Sequence, residues 1–423
     1  MPFLVQTILK RRGLAGCGRA CERNVITGAE HGFVPLLGHD RAVTANDREA
    51  ALTEEWLRVR EHLGQHRHEL SRQAARLYPP SFRVAGTDLL ADPAWLPPAP
   101  VPLGAVTLSR ADPPPPGLAG WEQAVRGVLP ARPGGPPVSS YAEAMSYLAR
   151  PSVFENRSTY RLLAADLRGP AGALTFTAGR YFDGTNVGEA CAHEFAAACL
   201  SGRDDLPLRQ LVGEPWNLRR RAANVAVATL TLRVDRHAGQ VTFPLHWRDP
   251  AKVGHAGGLY QVVPVGMFQA SSDAPRNQAR DFDLWRCMLR EFAEELLGLP
   301  EEYGPAGSSI DYDGWPFARR MSQARAAGLL TASVLGMGVD PLTFAADILT
   351  VVAIDAAVFD DLLGGMVHAN AEGRVLLGDG HGLSFTAATI DRLMDAEPVQ
   401  AAGAALLRLA WAYRDNLIHY HSP

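Results

Sequence analysis

The chain has 423 residues, enough for two or three domains of average size. Its 41 basic and 45 acidic residues leave a formal net charge of -4, and 47% of the residues are apolar. This composition is typical of a globular protein and argues against a strongly basic nucleic-acid binder and a disordered acidic chain. Because no uncharged apolar run reaches the roughly 18 residues of a membrane-spanning helix, we expect no contact with a membrane.

The N-terminus and the cysteines predict a cytoplasmic protein. A short apolar stretch precedes Lys10, Arg11 and Arg12, which reverses the order of charges and apolar residues in a signal peptide. The five cysteines are odd in number and scattered, which favours reduced thiols. Cys17 and Cys21 have the spacing of half a zinc site, but no second Cys/His pair follows nearby, so zinc is disfavoured.

Residues 1–78 are predicted to form a helical N-terminal region after a loosely structured start of forty-odd residues. Apolar residues recur at spacings of three, four and seven from Asp47 to Leu77, which predicts a long amphipathic helix or a helical hairpin. Arginines and glutamates alternate along it, so no basic stripe for nucleic acid emerges, whereas homodimer formation through this segment stays open. His62 and His66 have the spacing of a metal pair, but their charged neighbours favour a solvated face.

The density of prolines between residues 79 and 138 excludes long helices and central strands there. Regularly placed leucines and Trp95 predict a strap packed on the surface in the first half. The run Pro113 to Pro116 predicts a flexible linker.

Strands and helices mix in the rest of the chain, which predicts an α+β fold. Residues 139–221 are expected to form an α+β segment packed on a domain of residues 222–423 that ends in helices. The predicted strands cover residues 159–167, 174–182, 225–234, 241–247, 259–268, 329–338 and 348–354. The predicted helices cover residues 141–148, 187–200, 281–297, 315–327, 356–363 and 389–416. Asn186 is expected to cap the second of these helices, and Pro244 to place its strand at an edge or a bulge.

Two motifs, one on the second helix and one at the end of the strand before it, have weaker functional interpretations. His193 and Glu194 have the first half of a metalloprotease motif, but the second histidine is replaced by Ala197, which favours a structural histidine with a hydrogen-bond partner. Tyr181 and Phe182 could stack on a base, although core packing is the more common role of such aromatics.

The segment DFDLWRCMLREFAEELLG, residues 281–298, carries the clearest chemistry. Glu291, Glu294 and Glu295 stand at i, i+3 and i+4, so a helix projects their carboxylates from one face. Such a cluster is tolerated when solvent screens it or when a divalent cation neutralises it. Magnesium and manganese prefer carboxylate oxygens and keep several waters, which suits a site that a phosphate can enter. Spacing alone favours the solvated acidic stripe.

The sequence REFAEELLG resembles the second half of the Nudix signature, and it follows a strand end, QVVPVGMFQ, similar to the one that precedes Nudix helices. The resemblance implies that Arg290 is the structural arginine and that Glu291, Glu294 and Glu295 bind Mg²⁺ or Mn²⁺ in a mixed sheet sandwiched by helices. It covers residues 222 to about 354. The chain as a whole is similar to a group of actinobacterial proteins with degenerate Nudix domains.

This sequence departs from the family pattern in two places. One extra leucine separates the Glu-Glu pair from Gly298, and the Gly-and-Glu first half of the signature is absent. His255, Gly257 and Gly258 precede the strand that leads into the helix, so their loop could border the pocket and bind substrate, although a tight turn explains the glycines equally well.

Two functions follow from the resemblance. The first is a metal-dependent hydrolase that directs water at a phosphoanhydride of a nucleoside diphosphate-linked substrate, with Glu291, Glu294, Glu295 and Arg290 as the catalytic residues. The second is an inactive Nudix-like protein that binds a nucleotide-like ligand as a sensor or regulator. Retention of the glutamates favours the first, whereas the lost half-signature and the extra leucine favour the second.

Overall fold

The computed structural model describes residues 44–112, 117–132, 134–249, 257–299, 309–367, 369, 373–376 and 382–418. The predicted loosely structured start and the linker at Pro113 to Pro116 lie outside the described residues. Within the described residues, no helix combines the length and the apolar character needed to cross a membrane.

The N-terminal third begins with two consecutive helices. Helix α1 (Ala45–Gln65) starts at Thr44, whose hydroxyl accepts a hydrogen bond from the backbone N–H of Asp47, and α2 (Arg67–Ala75) follows after a break at His66. This confirms the predicted helical segment, and the break divides it into two helices.

The proline-rich segment packs as a strap of short 3-10 turns and edge strands. Leu89, Leu90 and Trp95 are buried in it, as the sequence predicted for its first half. Its strand β1 (Val101–Pro102) joins the edge of the main sheet, where a missing N–H is tolerated. Strand β2 (Val106–Arg110) and helix α3 (Gln123–Arg126) complete the segment.

The middle of the chain supplies a small mixed sheet and a long buried helix. The elements in chain order are α4 (Tyr141–Leu148), β3 (Ser158–Asp166), β4 (Gly172–Arg180), α5 (Tyr181–Ser201) and α6 (Pro207–Val212). The sheet has the order β2-β4-β3, with β2 parallel to β4.

Helix α5 begins six residues before the predicted residue 187. Asn186 is therefore not its N-cap; its side-chain oxygen instead accepts a hydrogen bond from the N–H of Ala142. The start is fixed at Asp183, whose carboxylate accepts the N–H of Arg180 at 2.8 Å. The predicted cap was wrong because Asp183, the third helical residue, accepts the N–H of Arg180 at the N-cap and so stabilises a start about two turns before the predicted one.

The last two hundred residues contain the main sheet. The strands are β5 (Val225–Asp235), β6 (Gln240–Phe243), β7 (Leu245–Arg248), β8 (Tyr260–Val262), β9 (Val265–Met267), β10 (Leu330–Val339), β11 (Ala346–Asp355), β12 (Gly373–Leu376) and β13 (Leu383–Ser384). The helices are α7 (Pro275–Arg280), α8 (Leu284–Glu291), α9 (Pro316–Ala326), α10 (Ala356–Leu363), α11 (Ala387–Ala396), α12 (Ala401–Ala412) and α13 (Arg414–Ile418). A π-helix, Phe292–Leu296, directly continues α8.

The main sheet is mixed and has the order β1-β10-β11-β5-β6-β13, with β9 also paired to β5. Strands β5 and β11 are parallel neighbours at its centre and are almost fully buried, which is typical of strands covered on both faces. β5 pairs with β9 along its first half and with β6 along its second. Helix α12 contacts β5, β8, β10 and β11.

Two predicted strands are each divided between two sheets. Pro244 separates β6, in the main sheet, from β7, in an antiparallel sheet of order β12-β7-β8, which matches the predicted interruption. The strand predicted over residues 259–268 is divided at Val263 and Pro264 into β8 and β9. The helix predicted over residues 389–416 was also wrong: it comprises α11, α12 and α13, interrupted by a short extended segment at Glu397 and by Tyr413.

The mixed α/β class is therefore confirmed, whereas the arrangement specific to the Nudix family stays a prediction. One cluster of buried apolar side chains extends from Trp56 in α1 to Leu417 in α13.

Candidate functional site

The candidate site is built on α8 and the π-helix, which we call the signature helix (Leu284–Leu296). The carboxylate of Asp283 accepts the N–H of Arg286 at 2.9 Å and caps its first turn. The buried side chains Leu284, Met288 and Phe292 recur at spacings of four and hold this helix against β5 and β9.

The extra leucine of the motif coincides with the π-helix. A π-turn closes its hydrogen bonds one residue later than an α-turn, so it takes one additional residue into the helix. Gly298 then ends the helix with a φ of +65° and donates its N–H to the carbonyl of Glu294 at 3.1 Å. The altered spacing between the glutamates and Gly298 is thus absorbed by a local widening of the helix.

Glu295 is a buried anchor between the signature helix and β9. Its side chain is 7% exposed, and one carboxylate oxygen accepts the N–H of Val265 at 3.1 Å. The other oxygen lies 3.6 Å from Nδ1 of His246, a fully buried residue of β7. This carboxylate joins three elements and faces the protein interior.

The carboxylate of Glu291, on α8, lies against the same strand one residue further along, at Gly266. A methyl group added to Gly266 would come within 1.7 Å of the carboxylate carbon of Glu291, so the carboxylate packs directly on the glycine backbone. Only glycine allows this approach. Glu291 and Glu295 therefore contact adjacent residues of β9, whereas Glu294 is half-buried.

Arg290 is buried in a polar network at the other side of the helix. Its guanidinium donates to the carbonyl of Gln269 at 2.6 Å and to the hydroxyl of Tyr312 at 2.7 Å. Tyr312 in turn donates to Asp281 at 2.9 Å, and Asp281 also accepts the N–H of Ser271 at 2.8 Å. Burial raises the pKa of Tyr312, which keeps the phenol neutral and able to donate. Arg290 is therefore held within the fold by its hydrogen bonds to Gln269 and Tyr312.

The role of the glutamates as metal ligands stays a prediction. Magnesium is usually held by one or two protein carboxylates and keeps several waters. Among the described residues, no three His, Cys, Asp or Glu side chains come together as a group that could hold a metal ion. Because Glu295 is directed at Val265 and His246, its carboxylate is engaged in holding the fold.

The predicted substrate loop is described only in part. His255 lies outside the described residues. Gly258 has a φ of +80° and donates its N–H to the carbonyl of Arg248 at 2.8 Å, which fits a tight turn before β8. Gly257 is in the same turn. A role of these residues in substrate binding stays a prediction.

Sequence reasoning missed two side chains at this site, His246 and Tyr312. His246 follows the buried residue Leu245 in β7. Buried and exposed residues do not alternate along this strand, so no pattern singled out His246. Tyr312 is 22 residues from Arg290 and follows a segment outside the described residues. Asp281 and Asp283 begin the segment 281–298 that the sequence analysis singled out, but the sequence did not show their partners.

The secondary motifs have structural roles. His193 is 4% exposed and forms a 3.0 Å hydrogen bond with the Tyr141 hydroxyl, which confirms the structural interpretation, and burial lowers its pKa to about 3. Tyr181 and Phe182 pack against the apolar core. The rings of His62 and His66 stack at 4.2 Å on α1 and the residue that follows it.

Comparison with known proteins does not identify a family for this chain. No family model matches the chain, and no curated protein matches it significantly. The resemblance to the Nudix family therefore rests on the signature segment and its neighbouring strands.

Proposed function

We propose that the chain is a Nudix-like protein that binds a small nucleotide-like ligand without hydrolysing it, and that it acts as a sensor or regulator. The observation that carries the proposal is the inward orientation of Glu295. A catalytic metal site needs this carboxylate to be turned towards the ligand, whereas here it accepts the N–H of Val265 and lies beside His246.

Other features of the signature helix support the same proposal. The helix keeps the groups that hold it in place, namely Asp283 at its start and the Arg290 network at its side. The π-turn changes the spacing of the groups that the metal would need. A helix of this kind is suited to holding the surrounding loops as a rigid scaffold for a ligand.

A second candidate, the metal-dependent hydrolase, is favoured by one observation. Glu291 and Glu295 both reach β9, at the adjacent residues Gly266 and Val265. If the protein is a hydrolase, carboxylates of the signature helix would hold Mg²⁺ or Mn²⁺. The cation would supply charge neutralisation at the phosphate and an acidified water.

Turnover distinguishes the two candidates. We would measure release of phosphate or pyrophosphate from nucleoside diphosphate-linked and triphosphate compounds with Mg²⁺ or Mn²⁺, for the wild type, Glu291→Gln and Glu294→Gln. The proposal expects the same background release for all three. Turnover by the wild type that both substitutions abolish would contradict it and establish the hydrolase.

A further inference from the structure

An apolar cavity of about 110 Å³ lies between the start of α5, the segment that follows α4, and the loop before β11. It opens to solvent beside Val153, a residue that is 71% exposed. None of the described lining residues belongs to the signature helix. A closed apolar cavity of about 150 Å³ can hold benzene. This smaller, open cavity therefore has room for one ring whose substituent extends into the opening.

Apolar and aromatic side chains form most of the wall. The ring of Phe154 is held against Phe182, with ring centroids 4.6 Å apart. The thioether chains of Met145 and Met267 can adapt to the outline of a ligand, and their sulfur atoms make favourable contacts with the edges of rings. Aromatic side chains likewise pack on a flat ring through stacked or edge contacts. The aromatic lining residues are Phe154, Tyr181 and Phe344.

The neutral polar side chains of the wall are already hydrogen-bonded within the protein. Asn224 donates to the carbonyl of Tyr181 at 3.0 Å, and the hydroxyl of Thr185 donates to the same carbonyl at 3.3 Å. The hydroxyl of Thr343 donates to Asp340 at 2.9 Å. A polar ligand would have to displace these bonds to gain its own. An apolar ring loses nothing by entering.

The two charged side chains of the wall are engaged as well. Glu189 pairs with Arg60 and, at 3.1 Å, with Arg67. Arg221 donates to the carbonyl of Phe344, and its Nε has no described partner but is closed off from solvent, so it does not face the cavity. A charged ligand would leave water without finding an unpaired opposite charge. The wall therefore selects for a neutral ligand.

The wall is held in place without a ligand. Phe344 has a φ of +58°, which is rare for a bulky residue and is found most often at functional sites. Its N–H donates to the carbonyl of Asp340 at 2.8 Å, and the guanidinium of Arg209 lies 4.7 Å from the centre of its ring. Because these contacts fix the aromatic wall beforehand, a ligand does not have to order it.

We propose that this cavity binds a small neutral aromatic compound, with its ring among Phe154, Met267 and Phe344 and its substituent in the opening beside Val153. This ligand differs in chemistry from the nucleotide-like ligand, and its site is separate from the signature helix. The inference therefore goes beyond the proposed function and does not depend on it.

NMR titration of the full chain with phenol tests the site, because phenol is a neutral single ring that is soluble at millimolar concentration. Cyclohexanol is the probe of similar size without an aromatic ring, and benzoate is the charged aromatic probe. The binding variants are Ala345→Leu, which adds bulk at a lining position, and Val153→Asp, which places a charge at the opening. Leu52→Asp is the matched control, because Leu52 is 59% exposed and does not line the cavity.

We expect phenol to bind, and cyclohexanol and benzoate to bind at least about threefold more weakly, since they lack ring contacts or carry an unpaired charge. Ala345→Leu and Val153→Asp should each weaken phenol binding by about threefold or more, since one fills the cavity and the other makes its opening polar. Leu52→Asp and Glu294→Gln should leave it within about twofold of the wild type. Because Val153 is exposed, its substitution keeps the fold intact even if Ala345→Leu does not.

Four results would overturn the inference. The first is the absence of phenol binding at millimolar concentration. The second is equal or tighter binding of cyclohexanol or benzoate. The third is phenol binding that Val153→Asp leaves unchanged. The fourth is displacement of phenol by adenosine monophosphate, which would place the nucleotide-like ligand in this cavity. Turnover in the hydrolysis assay would contradict the proposed function but would leave this site unaffected.

Discussion

Buried polar side chains hold the signature helix through specific pairs. Arg290 is 3% exposed and lies among Gln269, Tyr312 and Asp281, and each contact satisfies a group that water cannot reach. Removing one member of such a network leaves the others desolvated and unpaired. Arg290 could be singled out from the sequence because its motif is local. Tyr312 could not, because the pairing depends on how a distant segment returns to the helix.

Replacement of Arg290 by alanine should lower the free energy of unfolding by about 3–5 kcal/mol, because it leaves Asp281 buried without its cation. Urea denaturation followed by tryptophan fluorescence measures this change. Arg168→Ala, which breaks an exposed pair with Asp166, is the control and should leave stability close to that of the wild type. Equal small effects of the two substitutions would contradict the structural role of Arg290.

A second buried acid gives a prediction for the pH dependence of stability. Asp347 in β11 is 3% exposed, and its Oδ2 has no described hydrogen-bond partner. Burial, with a smaller effect of the nearby Asp340, raises the pKa of Asp347 to about 8. The folded state therefore holds the proton more tightly than the unfolded state. The resulting stability is fully present below the unfolded pKa, near 4, and is lost as the pH rises towards 8.

Asp347→Asn should reduce this pH dependence, because an amide stays neutral throughout. Between pH 5 and pH 9 the wild type should lose about 2 kcal/mol or more of stability relative to the variant. Urea denaturation at pH 5, 7 and 9 measures the difference. The exposed Asp395→Asn should behave as the wild type does. Parallel pH profiles of the wild type and Asp347→Asn would show that Asp347 is ionised in the folded state.

Helices and strands followed the sequence patterns where those patterns were long. The hydrophobic periods predicted β5, β10, β11 and α9 within a few residues of their observed ends. Some short breaks between elements were not predicted. β8 and β9 form one apolar run in the sequence, although they belong to different sheets. The π-helix was not predicted because an extra leucine can equally well be placed in a loop. Local patterns give an element its type, whereas its boundaries depend on its partners.

Close packing of α5 against the loop after β10 is a feature that only the structure shows. A methyl group added to Gly188 would lie 2.3 Å from the backbone carbonyl oxygen of Thr343. A backbone atom cannot move aside as a flexible side chain can. Gly188 therefore allows α5 to pack directly against the loop that contains Thr343.

Gly188→Ala should destabilise the protein by about 1–3 kcal/mol through overpacking, despite the higher helix propensity of alanine. Gly64→Ala in α1 is the matched control, because nothing lies within 4 Å of its added methyl group. That substitution should stabilise the protein by about 0.5–1 kcal/mol. Thermal and urea denaturation measure both changes. A stabilising effect at Gly188 would contradict the close approach.

The whole molecule is held together by contacts between segments that are distant in the sequence. The apolar core is continuous from α1 to α13, and a buried charge cluster joins α1 and α2 to α5. In this cluster Glu189 accepts hydrogen bonds from Arg60 and from both terminal nitrogens of Arg67. The sequence indicated a helical N-terminal region. It did not show that Glu189 would pair with this region, because 122 residues separate Glu189 from Arg67.

Glu189→Ala should cost about 3–5 kcal/mol, because it leaves two guanidinium groups buried without their carboxylate. We expect the loss to appear in the unfolding of the whole chain, since α1 and α2 pack on the common core. Circular dichroism during urea denaturation measures it. Glu55→Ala, which breaks the exposed pair with Arg58, should have little effect. A separate early transition of the N-terminal helices would contradict a shared core.

The proposed function requires that Glu295 of the signature helix holds the fold and that this helix holds no catalytic metal. The most direct measurement is a titration of the full chain with Mn²⁺, followed by electron paramagnetic resonance, for the wild type, Glu291→Gln and Glu294→Gln. We expect no stoichiometric binding below millimolar Mn²⁺ in any of the three proteins. Binding of one Mn²⁺ at micromolar concentration by the wild type, lost in both variants, would contradict it.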